Sequence, residues 1–154
     1  RLAWQEYGVR PVIHPHAGGC IEFADEIDLL AAQIPHDVAG LCLDTGHLFY
    51  SGMDPISWLD RHFDRLDYLH FKDVDPQVFR SVISRGIDFF SACAEGVMCP
   101  LGSGAIDYPA IKDFLARRGY QGWITIEQER DPRHAAGSLQ AVTESLRYLR
   151  DVGF

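Results

Sequence analysis

Residues 40–47 read GLCLDTGH. The first four are apolar and form a run short enough for one buried strand of a parallel sheet. Asp44 and His47 then arrive three residues apart, around a Thr-Gly turn. A carboxylate and an imidazole where a buried strand stops require partners, because either is costly to bury alone.

The pattern recurs on both sides of this stretch. "VRPVIHP" (9–15) reads as a strand ending in His14, with His16 just beyond. "LDYLHFK" (66–72) ends in His70 and Lys72, and "GWITIEQE" (122–129) in Glu127 and Glu129. Segments of helical period lie between them. The first, 22–34, places Phe23, Ile27, Leu30 and Ile34 on one face. Asp54-Pro55, Asp75-Pro76 and Asp131-Pro132 each read as a helix start, with Asp as N-cap and Pro in the first turn. Their apolar faces carry Ile56, Leu59 and Phe63; Phe79, Val82 and Ile83; and Leu139, Val142, Leu146 and Leu149. A short helix with Ile111, Phe114 and Leu115 closes at Gly119. The Gly-rich stretch 95–109, "EGVMCPLGSGAIDYP", reads as a loop, whose "PLGSG" could be a flexible cover for a site or only a turn.

Four β-α units in a row predict an α/β protein with a parallel sheet and right-handed crossovers. The sheet could be open and doubly wound, or part of a (β/α)₈ barrel. No strand runs into a GxGxxG turn. Ionisable residues instead mark the C-terminal ends of the strands, the catalytic face of a barrel. Alternation sharpens this, since successive side chains point to opposite sides. His14 and His16 share a side with Val12, Asp44 with Cys42, His70 and Lys72 with Tyr68, and Glu127 and Glu129 with Thr125. Ile13, Leu41, Leu43, Leu69, Phe71, Ile124 and Ile126 face the helix layer.

The chain has 154 residues, 47% of them hydrophobic, which predicts one domain over 1–154. Its formal charge of −8, without a Lys/Arg cluster, argues against a nucleic-acid partner. No apolar run is long enough to span a membrane. Cys20, Cys42, Cys93 and Cys99 lack CxxC spacing and read as reduced, buried thiols of a cytoplasmic protein. The first residues carry no signal-peptide pattern and no initiator Met, as expected of a processed product or a fragment.

His14, Asp44, His70 and Glu127 form a mixed nitrogen and oxygen set. It suits Mn²⁺, Co²⁺, Zn²⁺ or Fe²⁺ better than Ca²⁺. His16, His47, Lys72 and Glu129 would surround it as substrate-facing groups. Blander readings pair Lys72 with Asp73 or Glu129, pair Glu129 with Arg130 or Lys72, and bond His47 to nearby backbone. His36, His62 and His134 read as solvated.

"HPHAGG", "GLCLDTGHLFYSG", "YLHFKDVDP", "GVMCPLGSGAIDYP" and "GWITIEQERDP" together resemble the C-terminal half of the inosose dehydratases. These belong to the xylose-isomerase-like TIM-barrel superfamily. The resemblance implies that Asp44, His70 and Glu127 bind a divalent metal, Mn²⁺ or Co²⁺ first and Zn²⁺ next. His47 and Lys72 would face substrate. It implies dehydration of a polyhydroxylated cyclic ketone, 2-keto-myo-inositol, with His47, His16 and Lys72 as catalytic groups. Sugar isomerisation or epimerisation uses the same enediolate and is the alternative. Many superfamily members carry a ligand Glu where this chain has His14, so metal and substrate roles both stay open for His14 and His16. The family barrel has eight strands, and only the last four are legible here. Such a half-barrel would self-associate through Val12, Cys42, Tyr68 and Thr125, belong with a missing N-terminal half, or be inert.

Overall fold

The structure is a computed structural model and describes residues 2–154, the His134 side chain excepted. A helix α1 (Leu2–Tyr7) leads into a short strand β1 (Val12–Ile13), and α2 (Ala24–Gln33) returns the chain to β2 (Gly40–Asp44). Two helices, α3 (Thr45–Tyr50) and α4 (Pro55–Arg61), precede β3 (Leu66–Phe71). A short β4 (Asp73–Val74) follows, then α5 (Pro76–Ser84), α6 (Phe89–Ala94) and β5 (Met98–Cys99). The chain ends with α7 (Tyr108–Arg118), β6 (Trp123–Ile126) and α8 (Ser138–Val152).

Strands β1, β2, β3 and β6 form one parallel sheet in that order. The expected alternation is present. Leu41, Leu43, Leu69 and Phe71 are fully buried against a helix-side core that includes Ile27, Leu59, Ile111, Phe114 and Leu149. Register pairs Asp44 with His70, so their side chains stand side by side on the opposite face. Glu127 lies one residue beyond β6, where its N–H still donates to Phe71 O at 3.0 Å.

Asp54 and Asp75 cap α4 and α5 as expected, each accepting backbone N–H bonds from the first turn. Asp131-Pro132 does not start the last helix. Asp131 caps a single turn, accepting from Arg133 N, and α8 begins at Ser138. The buried face of α8 is also rotated from the expected one. Leu139 and Leu146 are exposed, whereas Ala141, Ser145 and Leu149 point inward. Ser145 takes a core position because its hydroxyl accepts the Leu101 N–H at 3.0 Å and donates to Ala141 O at 2.9 Å. A buried amide without that partner would cost about 1–3 kcal/mol.

Other differences are local. The first strand is two residues long. Phe23 precedes α2 instead of packing in it and is exposed, as is Ile83 on α5. Cys20 is exposed and Cys99 half-buried; all four thiols are free. The 95–109 stretch contains β5, which pairs antiparallel with β4 (Asp73 with Cys99, Val74 with Met98). The helices α3 and α6 are too short for a clear apolar period, and the sequence reading places neither.

Candidate metal centre

Asp44 ends β2 and also caps α3, its Oδ1 accepting His47 N–H at 2.9 Å. One side chain therefore closes a strand, starts a helix and aims its second oxygen at the sheet face. Lys72 Nζ donates to that Oδ2 at 2.9 Å and also to Glu127 Oε2. His70 Nδ1 stands 3.2 Å from Glu127 Oε2 and 4.0 Å from Asp44 Oδ2. His14 completes the group: one ligand atom each from His14, Asp44, His70 and Glu127 lies within 4.8 Å of the others. Four successive strand ends of the parallel sheet thus deliver four donor atoms to one point.

The donor set fits a divalent ion. His14 Nδ1 lies 3.1 Å from Cys42 O, and a carbonyl only accepts, so Nδ1 carries the proton and Nε2 keeps a free lone pair. That Nε2 is buried without a hydrogen-bond partner. Polar atoms buried in this way are rare unless an ion or water serves them. A mixed imidazole and carboxylate set matches borderline divalent cations.

The electrostatics are strongly coupled. Burial opposes the Lys72 charge, but Asp44 and Glu127 outweigh it and hold the ammonium above its ordinary pKa. The neighbouring His70 ring and the Lys72 ammonium pull Glu127 down to about 2, against partial burial. Burial holds His14 and His47 below the ordinary imidazole value. His16 goes the other way, raised mainly by Glu129, whose Oε1 is 3.1 Å from His16 Nε2.

Several expected partners change. Lys72 pairs with Asp44 and Glu127, not with Asp73 or Glu129. Its side chain is fully covered by them, so it does not present a free ammonium to solvent. Glu129 faces His16 and His47 instead of Arg130 or Lys72. His47 sits on α3 with both ring nitrogens lacking hydrogen-bond partners, so it is not a loop residue tied to backbone. His62 is buried on Trp58, with Nε2 3.2 Å from Asp28, and is not solvated. His36 stays half-exposed beside Asp67, and the His134 side chain lies outside the described residues.

Residues missed by sequence reading hold the centre in place. Tyr108 is fully buried, and its hydroxyl donates to Lys72 O at 2.7 Å. Thr45 Oγ1 accepts Lys72 N–H at 3.1 Å and lies 2.9 Å from Tyr108 Oη. Gly46 lets α3 cross Lys72, since a Cβ there would come within 2.5 Å of Lys72 Cβ. Asp73 is buried and accepts four backbone N–H bonds: Val74 and Ile106 on Oδ1, Gly102 and Gly104 on Oδ2. It ties the Gly-rich loop to β4. The Asp following the strand-end Lys was the one available signal. Phe89 of α6 packs edge-on against His16 and His47 at 5.5 and 5.4 Å between ring centroids.

A parallel β/α sheet with converging imidazoles and carboxylates at its C-terminal ends defines a barrel-type protein with a metal-capable centre. Residues 2–152 match the model of the xylose isomerase-like TIM barrel family, and the chain belongs to that family. It is 41% identical to inosose dehydratase of Geobacillus kaustophilus (strain HTA426) over 128 residues, 83% of this chain and 42% of that protein. Identity to the rhizopine catabolism protein MocC of Rhizobium meliloti is 37%, covering 84% of this chain and 40% of that one. Inosose dehydratase of Clostridium beijerinckii (strain ATCC 51743 / NCIMB 8052) is 33% identical, covering 98% and 50%. The chain spans about half the length of the curated relatives it matches. Among solved structures, the IolI protein with a bound zinc atom superposes with a TM-score of 0.68 at 19% identity, covering 97% of this chain and 50% of that one. The probable 3-DHS dehydratase AsbF of Bacillus anthracis superposes with a TM-score of 0.67 at 18% identity, covering 93% and 50%.

Proposed function

We propose that this chain carries the metal centre of a hydro-lyase that eliminates water from a polyhydroxylated cyclic ketone, 2-keto-myo-inositol. The convergence of His14, Asp44, His70 and Glu127 within 4.8 Å is the observation that carries the reading. Similarity to inosose dehydratases supports the substrate. Asp44, His70, Glu127 and His14 would hold the ion, with Mn²⁺ or Co²⁺ preferred and Zn²⁺ next. When bound, a divalent ion supplies Lewis-acid polarisation of the ketone.

The protein groups divide the remaining work. His16, whose pKa Glu129 raises, is suited to donate to the departing hydroxyl. His47, kept neutral by burial, is suited to accept the α-proton. Lys72 offsets the charge of the two carboxylates, favouring the ionised form of Glu127 and partly opposing the burial that raises the Asp44 pKa. Glu129, His14 and His16 line an open depression that also includes Gln128, wide enough for a small polyol.

The active unit is the second part of the proposal. The 1–154 unit would supply four strands of a barrel and work as a half-barrel, either self-associated or joined to an N-terminal half. The exposed edge residues Val12 and Trp123 and the half coverage of the relatives support this. The test measures dehydration of 2-keto-myo-inositol by chelator-treated protein resupplied with Mn²⁺, Co²⁺ or Zn²⁺, across a dilution series with light scattering. We expect metal-restored activity that tracks assembly, and a loss of more than about 100-fold in Glu127→Gln. Full activity from a chelated monomer would overturn the reading. An isomerised product in place of a dehydrated one would move the assignment to the isomerase and epimerase branch.

A further inference from the structure

A second set of donors adjoins the first. One ring nitrogen each from His14, His16 and His47 lies within 4.8 Å of the others. The tautomers follow from backbone partners. His16 Nδ1 is 2.7 Å from Ala17 O and must carry a proton, as His14 Nδ1 must beside Cys42 O. His14 Nε2 is therefore a free ligand-capable end, and His16 Nε2 becomes one when an incoming cation displaces the proton it shares with Glu129 Oε1. His47 is 3% exposed, and neither of its ring nitrogens has a hydrogen-bond partner. Glu129 lies alongside, with Oε1 3.1 Å from His16 Nε2 and Oε2 3.7 Å from His47 Nε2. That Oε2 is likewise buried and unpartnered.

This is a crowd of acceptors. His14 Nε2, both His47 nitrogens and Glu129 Oε2 are buried without hydrogen-bond partners beside the His16–Glu129 pair, and buried acceptors left unserved are costly. A single cation would serve them together. Three imidazoles with an open fourth position form a familiar zinc donor set. Phe89 packs edge-on against His16 and His47 on one side of the group.

We propose a second divalent-cation site formed by His14, His16 and His47, with Glu129 supplying the adjacent negative charge. Its all-imidazole ligands select Zn²⁺ or Co²⁺ over Mn²⁺, whereas the carboxylate-rich set accepts all three. His14 has one free nitrogen and serves one ion at a time. When the carboxylate-rich set claims it, His16 and His47 hold the second ion with Glu129. On the dehydratase reading, an ion there takes the nitrogen lone pairs that proton transfer needs, so excess Zn²⁺ inhibits; the binding test stands without that reading.

The test is equilibrium dialysis of the full chain, stripped of metal, against Zn²⁺ alone and Mn²⁺ alone, with elemental analysis. The expected result is a second equivalent of Zn²⁺ but a single equivalent of Mn²⁺. Asp44→Asn with Glu127→Gln should keep one Zn²⁺ and lose Mn²⁺. His16→Ala with His47→Ala should lose one Zn²⁺ and keep Mn²⁺. Far-UV circular dichroism checks folding, and His16→Gln alone replaces the double variant if that fails to fold. One Zn²⁺ in the wild-type chain, no Zn²⁺ in the carboxylate variant, or unchanged Zn²⁺ in the histidine variants would each overturn the site. Loss of dehydration with two Zn²⁺ still bound would count against the reaction and not against this site.

Discussion

Tyr108 shows how one hydroxyl can govern a centre it does not touch. It comes from α7, yet it hydrogen-bonds the backbone of Lys72 at the end of β3 and the side chain of Thr45 at the start of α3. The Lys72 ammonium then reaches Asp44 and Glu127 from a fixed backbone. Tyr108→Phe keeps the ring packed on Phe71 and deletes only the hydroxyl. Losing that buried hydrogen bond should cost about 1 kcal/mol of stability, read as a lower urea midpoint. Thr45 still holds the Lys72 amide in this variant, so the fold should survive. A loss above about 3 kcal/mol would mean that the ring, not the hydroxyl, carries the role.

At the scale of elements, the Gly-rich loop is a fixed structure and not a loose cover. Asp73 accepts from four backbone amides, two on each oxygen, three of them from residues 102–106. Burial raises its pKa despite those donors, so the loop has a buried carboxylate as its anchor. Gly104 passes so close that a Cβ would meet Asp73 Oδ1 at 2.2 Å. Asn offers one acceptor oxygen in place of two, so Asp73→Asn should strand two amides. The expected loss is about 2–4 kcal/mol, with faster hydrogen exchange at Gly102, Gly104 or Ile106. Unchanged exchange at all three amides would contradict this anchoring role. The loop's glycines were readable in the sequence, but their role was not, because it depends on a carboxylate some thirty residues away.

For the whole molecule, acid should weaken the fold through its histidines. Burial lowers the pKa of His14, His47 and His62 below the ordinary value near 6.5. The folded state then binds fewer protons than the unfolded chain. Their contribution is complete above that value and is lost as pH falls below it. His16 opposes them, since its raised pKa adds stability below 6.5 that disappears as pH rises through its folded value. Three groups against one predict a falling urea midpoint from pH 7 to pH 5, on the order of 1 kcal/mol per pH unit for each histidine kept neutral. His62→Gln tests one share away from the metal centre, and its midpoint should depend less on pH than that of the wild type. An equal slope would remove His62 from the account.

The parallel β/α order, the approximate places of the four strands and the convergence of His14, Asp44, His70 and Glu127 were legible in the sequence by itself, although the strands stop one to three residues earlier than their pattern suggests. Each rests on a local period: alternation along a strand decides which side a residue faces, and Asp-Pro decides where α4 and α5 begin. Only the tertiary structure decided who pairs with whom. Lys72 pairs with Asp44 and Glu127, Glu129 reaches His16, His62 turns inward to Asp28, and Ser145 takes a place on the buried face of α8 beside Leu149. Those outcomes depend on the distances between elements far apart in the chain. A buried polar atom takes whichever partner the packing brings within reach, and no local pattern in the sequence encodes that choice.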